Sequence, residues 1–365
     1  MKLGVEAALV DGVLVPGDIE VIDGTVADVG LARGRAGSIA IPGFVDLQVN
    51  GFGGVDFLAA STDDYRRAGE ALLATGVTAF QPTFICAPEN VIVDAVRAMP
   101  VNGEAGPRVL GAHLEGPFLS PDRLGTHPRE HRRDPDLELL ERLLDAGPVT
   151  EMTVAPELPG AHAVIERLLE RGVVVSAGHT NATSQEANDA FDLGVSTVTH
   201  VFNAMRPFRS RDPGVAGVAL TRQGVVVQMI LDGHHLAEET VRLIWAAAAG
   251  RVALVTDATA AAGAERGTFR LGAVEIEVGE VGVPLRSDGV LAGTVLTMID
   301  AVRNLYALGV ELADAVAAAS SVPARLLRRP ELGRLAPGGP ADVVVLDDRL
   351  EVAHVIVAGE SRVLA

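Results

Sequence analysis

The chain has a single cysteine, Cys86, in 365 residues. No disulfide can form within it, and a reducing compartment is the natural reading. Basic residues are also short: 30 Lys and Arg stand against 48 Asp and Glu, a formal net charge of −18. That argues against sequence-independent nucleic-acid binding, which needs a basic face. It leaves an anionic small molecule open, because a local Arg or His cluster can override the global field. No uninterrupted apolar run approaches the ~18–20 residues of a membrane helix. The start, "MKLGVEAALVDG", lacks the apolar core and cleavage pattern of a signal peptide. The expectation is a soluble, cytoplasmic protein with neither a nucleic-acid nor a membrane partner.

What is present is a large supply of core. Hydrophobic residues make up 48% of the chain, and its length exceeds the ~250–300 residues of a single-core domain. Both ends read as short antiparallel strands split by glycine: "GVLVPGDIEVIDGTVADVG" near the start and "GRLAPGGPADVVVLDDRLEVAHVIVAGESRVL" at the end. The middle alternates instead. Strand-length apolar runs fall at 43–48, 77–83, 109–114, 150–155, 173–177, 197–201, 225–231 and 252–256, and most precede an amphipathic stretch such as "AHAVIERLLERG". Such alternation means a parallel sheet covered by helices. The fold class expected is therefore α/β: a (β/α)8 TIM-like barrel over 42–329, with a small β-sandwich domain formed by 1–41 plus 330–365. Two long insertions, 118–135 and 205–217, follow the third and sixth runs, and 261–289 is Gly-rich and strand-like.

The runs end in polar residues: Gln48 and Asn50, Thr83, Glu115, Glu157, His179, His200, then Asp232 with His234 and His235, and Asp257. In a parallel barrel the strand C-termini share one face, where active sites lie. Glu115, His179 and His200 form the strongest subset, because two imidazoles and one carboxylate with an open position suit a catalytic Zn²⁺ or a similar ion. Any one of these histidines could be a satisfied polar residue. Their arrangement at strand ends favours a shared ion. Asp257, in "ALVTDATAAAG", could cap a helix. Beside a metal-bound water it could instead take a proton and return it to a leaving group. His127 in "GTHP" and His235 in "DGHHL" are candidates to bind substrate or polarise a carbonyl. Arg206, Arg209 and Arg211 make a basic patch beside His200, and arginine suits phosphate geometry. Cys86 has no evident base partner.

These residues sit in stretches that resemble the amidohydrolase superfamily and, within it, the N-acetylglucosamine-6-phosphate deacetylases. The matching stretches are "PGFVDLQVNGFGG", "HLEGPFL", "GTHP", "TVAPE", "SAGHTNAT", "THVFNAM", "RDPGVAG", "DGHHL", "LVTDATAAAG", "LAGTVLTM" and "GRLAPGGPADVVVLD", in family order from about residue 41 onward. The resemblance implies that Glu115, His179 and His200 hold one divalent ion per subunit. Zn²⁺ is expected first, with Fe²⁺, Co²⁺ and Mn²⁺ as alternatives. It implies Asp257 as general base and acid, and His235 as a catalytic contact to the acetyl carbonyl. It places Thr126, His127, Asn203, Ala204, Asp232, His235, Leu291, Ala292 and Gly293 around an amino sugar phosphate. Arg211 would bind the phosphate across a homodimer interface.

One departure stands out. Many amidohydrolases carry His-x-His at the end of the first strand and bind two metals. Here the triplet is Gln48-Val49-Asn50, and an amide is a poor transition-metal ligand. One tight ion is expected, with Gln48 and Asn50 as a remnant of the second site. Two rivals remain. Another metal-dependent amidohydrolase, acting on a cyclic amide or an N-acyl amino acid, predicts no phosphate dependence and no role for Arg211. A non-catalytic scaffold predicts missing ligands, and all three ligands and Asp257 are present.

Overall fold

A computed structural model describes residues 1–100 and 106–362. Eight parallel strands form the barrel: β1 (Phe44–Val49), β2 (Val77–Phe84), β3 (Ala112–Glu115), β4 (Val149–Val154), β5 (Val174–Ala177), β6 (Thr197–Val198), β7 (Val226–Met229) and β8 (Val252–Leu254). Each pairs in parallel with the next. The ring closes just beyond β8, where Val49 bridges Ala258 and the Asp257 N–H donates to the Gln48 carbonyl at 3.0 Å. The intervening helices start where the sequence supplies caps. Thr183 and Glu186, for example, form a reciprocal capping box that opens Ser184–Leu193.

Successive strand residues face opposite sides of a sheet. In β1, Val45, Leu47 and Val49 join the apolar core, while Asp46 and Gln48 between them are fully buried polar residues. The same parity on β3 puts His113 and Glu115 on one face. Barrel interiors are usually filled by bulky branched residues, but this one is polar and internally paired. Asp46 accepts from the Thr256 hydroxyl at 2.6 Å, and Glu151 accepts from Gln228 Nε2 at 2.6 Å. His113 Nε2 meets Thr153 Oγ1 at 2.8 Å, Thr153 meets Thr199 at 2.7 Å, and Thr199 meets Ser176 at 2.6 Å.

Strands from both ends of the chain share a second sheet, in the spatial order Val13–Pro16, Val5–Val10, Arg35–Pro42, Val343–Leu346, Val352–Val357, Glu360–Arg362. Residues 363–365, the end of the segment expected in this unit, lie outside the described residues. The sheet's central strands are buried on both faces. Ala8, Ala40, Val343, Val345 and Ile356 pack on the hairpin of Asp18–Ile22 and Thr25–Leu31. Their neighbours Leu9, Ile41, Val344, Leu346 and Val355 pack on the barrel core. The runs "IAIP" and "VVVL" are continuously apolar for that reason.

Two runs are shorter as strands than their composition suggests. β6 stops at Val198 and β8 at Leu254 because the chain leaves the sheet to present His200 and Asp257. The insertion at 261–289 holds a hairpin, Thr268–Leu271 with Val274–Val278, extended by Pro284–Leu285. Among the described residues no helix is long and apolar enough to cross a membrane.

Candidate active site

The backbone leaves the strands in an unusual way. His179, His200 and Asp257 all have positive φ, at 46°, 27° and 49°. This region is uncommon for residues with a side chain, and such strain clusters at functional sites. Gly178 makes the turn at the end of β5 possible. A Cβ there would lie 2.7 Å from both Thr153 Cγ2 and Thr199 Cβ.

Glu115 is the hub. Its Oε1 lies 3.1 Å from His179 Nε2 and 2.9 Å from His200 Nε2, and its Oε2 lies 3.4 Å from His127 Nε2. The candidate ligand atoms of Glu115, His179 and His200 all fall within 4.8 Å of one another. His179 Nδ1 is 2.8 Å from the Arg123 carbonyl, which can only accept, so the ring proton sits on Nδ1. Burial, then the nearby His127, push His179 down to about 4. Its Nε2 therefore presents a lone pair to a carboxylate oxygen. Two acceptors face one another, and a cation between them satisfies both. Burial pushes Glu115 up, but the imidazoles of His127, His179 and His200 packed around it outweigh burial and hold the carboxyl well below its ordinary range. Two imidazole nitrogens and a carboxylate fit Zn²⁺ or a similar divalent ion.

Asp257 stands beside this cluster. Gln48 Nε2 donates both to Glu115 Oε1 and to Asp257 Oδ1, at 3.1 Å each, and Asn50 Nδ2 donates to the same Oδ1 at 2.7 Å. Oδ1 is thus held by two amides, and Oδ2 is left to accept a proton. Burial, then the charge of Glu115, push Asp257 up to about 6. A carboxyl in that range can both take and return a proton near neutral pH. Gly293 lies against it: with φ +63°, a Cβ there would sit 2.7 Å from the Asp257 carbonyl oxygen.

A cavity of about 500 Å³ opens above these groups, within the range of small-molecule sites. Its walls bring Asn50, Thr126, His127, Asn203 and Ala204 together with the cluster and Asp257. His235, Leu291 and Gly293 also line it. Asp232 holds His235 from behind, Oδ2 to Nδ1 at 2.7 Å, which turns Nε2 toward the cavity. Burial opposes its ionisation, but bonds from His235 and the turn N–H groups draw Asp232 down to about 2.

Other sequence candidates lie off the cavity. Gln48 is buried behind the two carboxylates, and Ala292 packs with Ile85, Leu271 and Ile276. Arg211 is exposed, and Arg206 pairs with Asp212 at 2.7 Å. Glu157 braces the loop beyond His179, accepting from the Thr180 hydroxyl and the Asn181 N–H, each at 2.6 Å. The backbone N–H of the buried Cys86 donates to His127 Nδ1 at 3.2 Å. Sequence reasoning missed Arg123, Ile85 and Leu271, which also line the cavity. Ile85 lies just past β2 and was within reach of strand-end reasoning. Leu271 comes from a hairpin whose docking nothing local announces.

A parallel barrel with a metal-binding donor set and a carboxylate base at its strand C-termini defines a class, the barrel hydrolases that work at a strand-end ion. The chain belongs to the amidohydrolase family, whose family model matches residues 39–362. It is 38% identical to the N-acetylglucosamine-6-phosphate deacetylase of Homo sapiens, over 90% of this chain and 84% of that protein. It is 35% identical to the N-acetylgalactosamine-6-phosphate deacetylase of Escherichia coli, over 89% of this chain and 88% of that one. Among solved structures it matches a mutant N-acetyl-D-glucosamine-6-phosphate deacetylase from Mycobacterium smegmatis in complex with N-acetyl-D-glucosamine-6-phosphate. The TM-score is 0.94 at 37% identity, covering 100% of this chain and 99% of that one.

Proposed function

We propose that the chain hydrolyses the acetamide of N-acetyl-D-glucosamine 6-phosphate to D-glucosamine 6-phosphate and acetate, a step of amino sugar catabolism. The observation that carries this reading is the joint between ligand cluster and base. One amide, Gln48 Nε2, bonds both Glu115 and Asp257 at 3.1 Å, so the two carboxylates act on the same small volume at one end of the cavity. The sugar and its phosphate come from the names of the relatives.

Glu115, His179 and His200 would hold the divalent ion, Zn²⁺ first and Fe²⁺, Co²⁺ or Mn²⁺ as alternatives. When bound, it supplies Lewis acidity to the acetamide carbonyl and acidifies a water. A single ion fits better than two, because Gln48 and Asn50 direct their amide N–H groups at carboxylates and an amide oxygen is a poor transition-metal ligand beside imidazole. Asp257 Oδ2 takes a proton from the attacking water, and the hydroxide adds to the acetamide carbon. His235, held by Asp232 at Nδ1, would contact the carbonyl oxygen through Nε2 as charge develops there. Asp257 then returns the proton to the nitrogen, the C–N bond breaks, and acetate leaves the amine. Thr126, His127, Asn203, Ala204 and the Leu291–Gly293 segment orient the sugar, and that binding energy places the amide.

Arg211 fits a role in a homodimer. It is exposed in the protomer, and Phe208 nearby is a 52% exposed aromatic, as a subunit contact would present. In a dimer it would meet the phosphate in the neighbouring cavity. The buried lone thiol suits the cytoplasm.

The test is acetate release from N-acetylglucosamine 6-phosphate, its C4 epimer and unphosphorylated N-acetylglucosamine, with one metal added. Fast turnover of the phosphorylated gluco sugar is expected. No turnover of any of them, with about one ion bound per chain, sinks the substrate and turns the search to cyclic amides and N-acyl amino acids.

A further inference from the structure

The cavity holds one fixed positive charge that the reaction above does not use. Among the described residues Arg123 is the one Arg or Lys in its walls. The chain has a single lysine, Lys2, which lies in the terminal unit, where its backbone forms a β-bridge with Glu20. Arginine must therefore supply any permanent cation the barrel needs. Two neighbouring arginines are already paired: Arg206 with Asp212 at 2.7 Å and Arg286 with Asp288 at 2.5 Å.

Arg123 is held differently. Its Nε and Nη2 both donate to the neutral Asn181 Oδ1, at 3.2 and 3.0 Å. That bond fixes the guanidinium without neutralising it. No carboxylate pairs with it among the described residues, Nη1 carries no bond, and the adjacent Asp122 is exposed at the rim. Asn181 is itself pinned by Glu157 at 2.6 Å. The preceding Thr180 bridges Met205 and donates its N–H to the Ala204 carbonyl at 3.1 Å. Arg123 thus stands on the wall that carries Asn203 and Ala204. A preorganised, unpaired arginine in an acidic protein is suited to a phosphate, whose oxygens match the guanidinium fork.

We propose that Arg123 binds the 6-phosphate within each protomer and is a main determinant of the preference for phosphorylated amino sugars. This rests on the deacetylase reading and adds to it a contact that needs no partner subunit. Arg123 acts on binding, far from the bond that breaks, so its loss falls on KM rather than kcat. Its backbone carbonyl fixes His179, and side-chain replacement leaves that carbonyl in place.

The experiment compares wild type, Arg123→Ala and Arg123→Lys on N-acetylglucosamine 6-phosphate and on N-acetylglucosamine. Expected for Arg123→Ala is a roughly 10–100-fold rise in KM for the phosphorylated sugar, the scale of a lost charge-assisted bond. The ratio of kcat/KM between the two sugars falls by the same factor, and Arg123→Lys recovers part of it. Equal losses on both sugars, or an unchanged ratio, overturn the proposal. Calorimetric binding of D-glucosamine 6-phosphate to the same proteins gives a second reading without turnover. A Kd that Arg123→Ala does not change overturns the proposal by itself. Wild type that binds the sugar phosphate in an Arg123-dependent way yet releases no acetate sinks the deacetylase reading and keeps this one.

Discussion

Two polar layers lie one above the other in the barrel, built from the same kinds of residue. The lower holds Asp46, His113, Glu151 and Gln228. The upper holds Gln48, Glu115, His179, His200 and Asp257. All nine are buried. In the lower layer each group ends on a neutral partner: Asp46 on Thr256, His113 on Thr153, Glu151 on Gln228. Burial pushes Asp46 up to about 7 and Glu151 up to about 8, and pushes His113 down to about 4, so each group is shifted toward its uncharged form. In the upper layer acceptors face acceptors and two carboxylates share one amide. A buried ionisable residue is thus no sign of a site in itself. The sign is a set of groups that cannot satisfy one another and that open on a cavity.

That contrast predicts unequal damage. Asp257→Asn removes the carboxylate proposed as the base, and kcat should fall roughly 10²–10⁴-fold. Bound metal, measured by elemental analysis, should stay. Near-normal turnover with metal bound would mean that another group is the base. Gln48→Leu comes next. It removes the donor shared by Glu115 and Asp257, and activity or metal affinity should drop about 10–100-fold, the usual scale for groups that orient ligands. Chelator competition on the folded variant checks it. A neutral result would show that the shared amide is incidental.

The sequence displayed the upper layer and hid the lower. Glu115, His179, His200 and Asp257 stand where apolar runs stop, so a pass along the chain meets them at boundaries. Asp46 and Glu151 lie inside apolar runs, and their partners Thr256 and Gln228 are far away in the chain. Only closure of the ring brings them together. His113 shows the limit well. It sits two residues before Glu115 in "AHLE" and shares its face, yet one layer of depth separates a paired core residue from a metal-binding hub. The sheet shared by the two ends was legible because it is apolar on both faces. Arg123 was not, because its meaning lies in the neutrality of Asn181, 58 positions on.

The lower layer should answer to pH where the upper answers to metal. A carboxyl raised in the folded state keeps a proton that the unfolded chain has lost. Its stabilisation is full below the unfolded value of ~4 and is lost as pH rises toward the folded value, about 8 for Glu151. Glu151→Gln mimics the protonated form, provided one neighbouring glutamine turns its amide. The stability of the variant relative to wild type should therefore rise between pH 5 and 8 by up to ~1.4 kcal/mol per pH unit. Denaturant melts across that window check the slope. Parallel curves for the two proteins would show that Glu151 is not held protonated.

The smallest effect tests whether the two layers are independent. Ser176 ends the chain of hydroxyls that runs from His113 through Thr153 and Thr199. Thr199 precedes His200 in sequence, so this chain is one route from the paired layer to the metal cluster. Ser176→Ala deletes one hydrogen bond but leaves Thr199 still bonded to Thr153, so no buried group is orphaned. The cost should be about 1 kcal/mol of stability, with kcat and metal affinity within about twofold, because none of these hydroxyls hydrogen-bonds the side chain of Glu115, His179 or His200. A tenfold loss of metal affinity at that modest cost in stability would mean that the hydroxyl chain holds His200 in place. The lower layer would then be part of the site, and the line drawn between satisfied and unsatisfied polar groups would have to move down by one turn of the barrel.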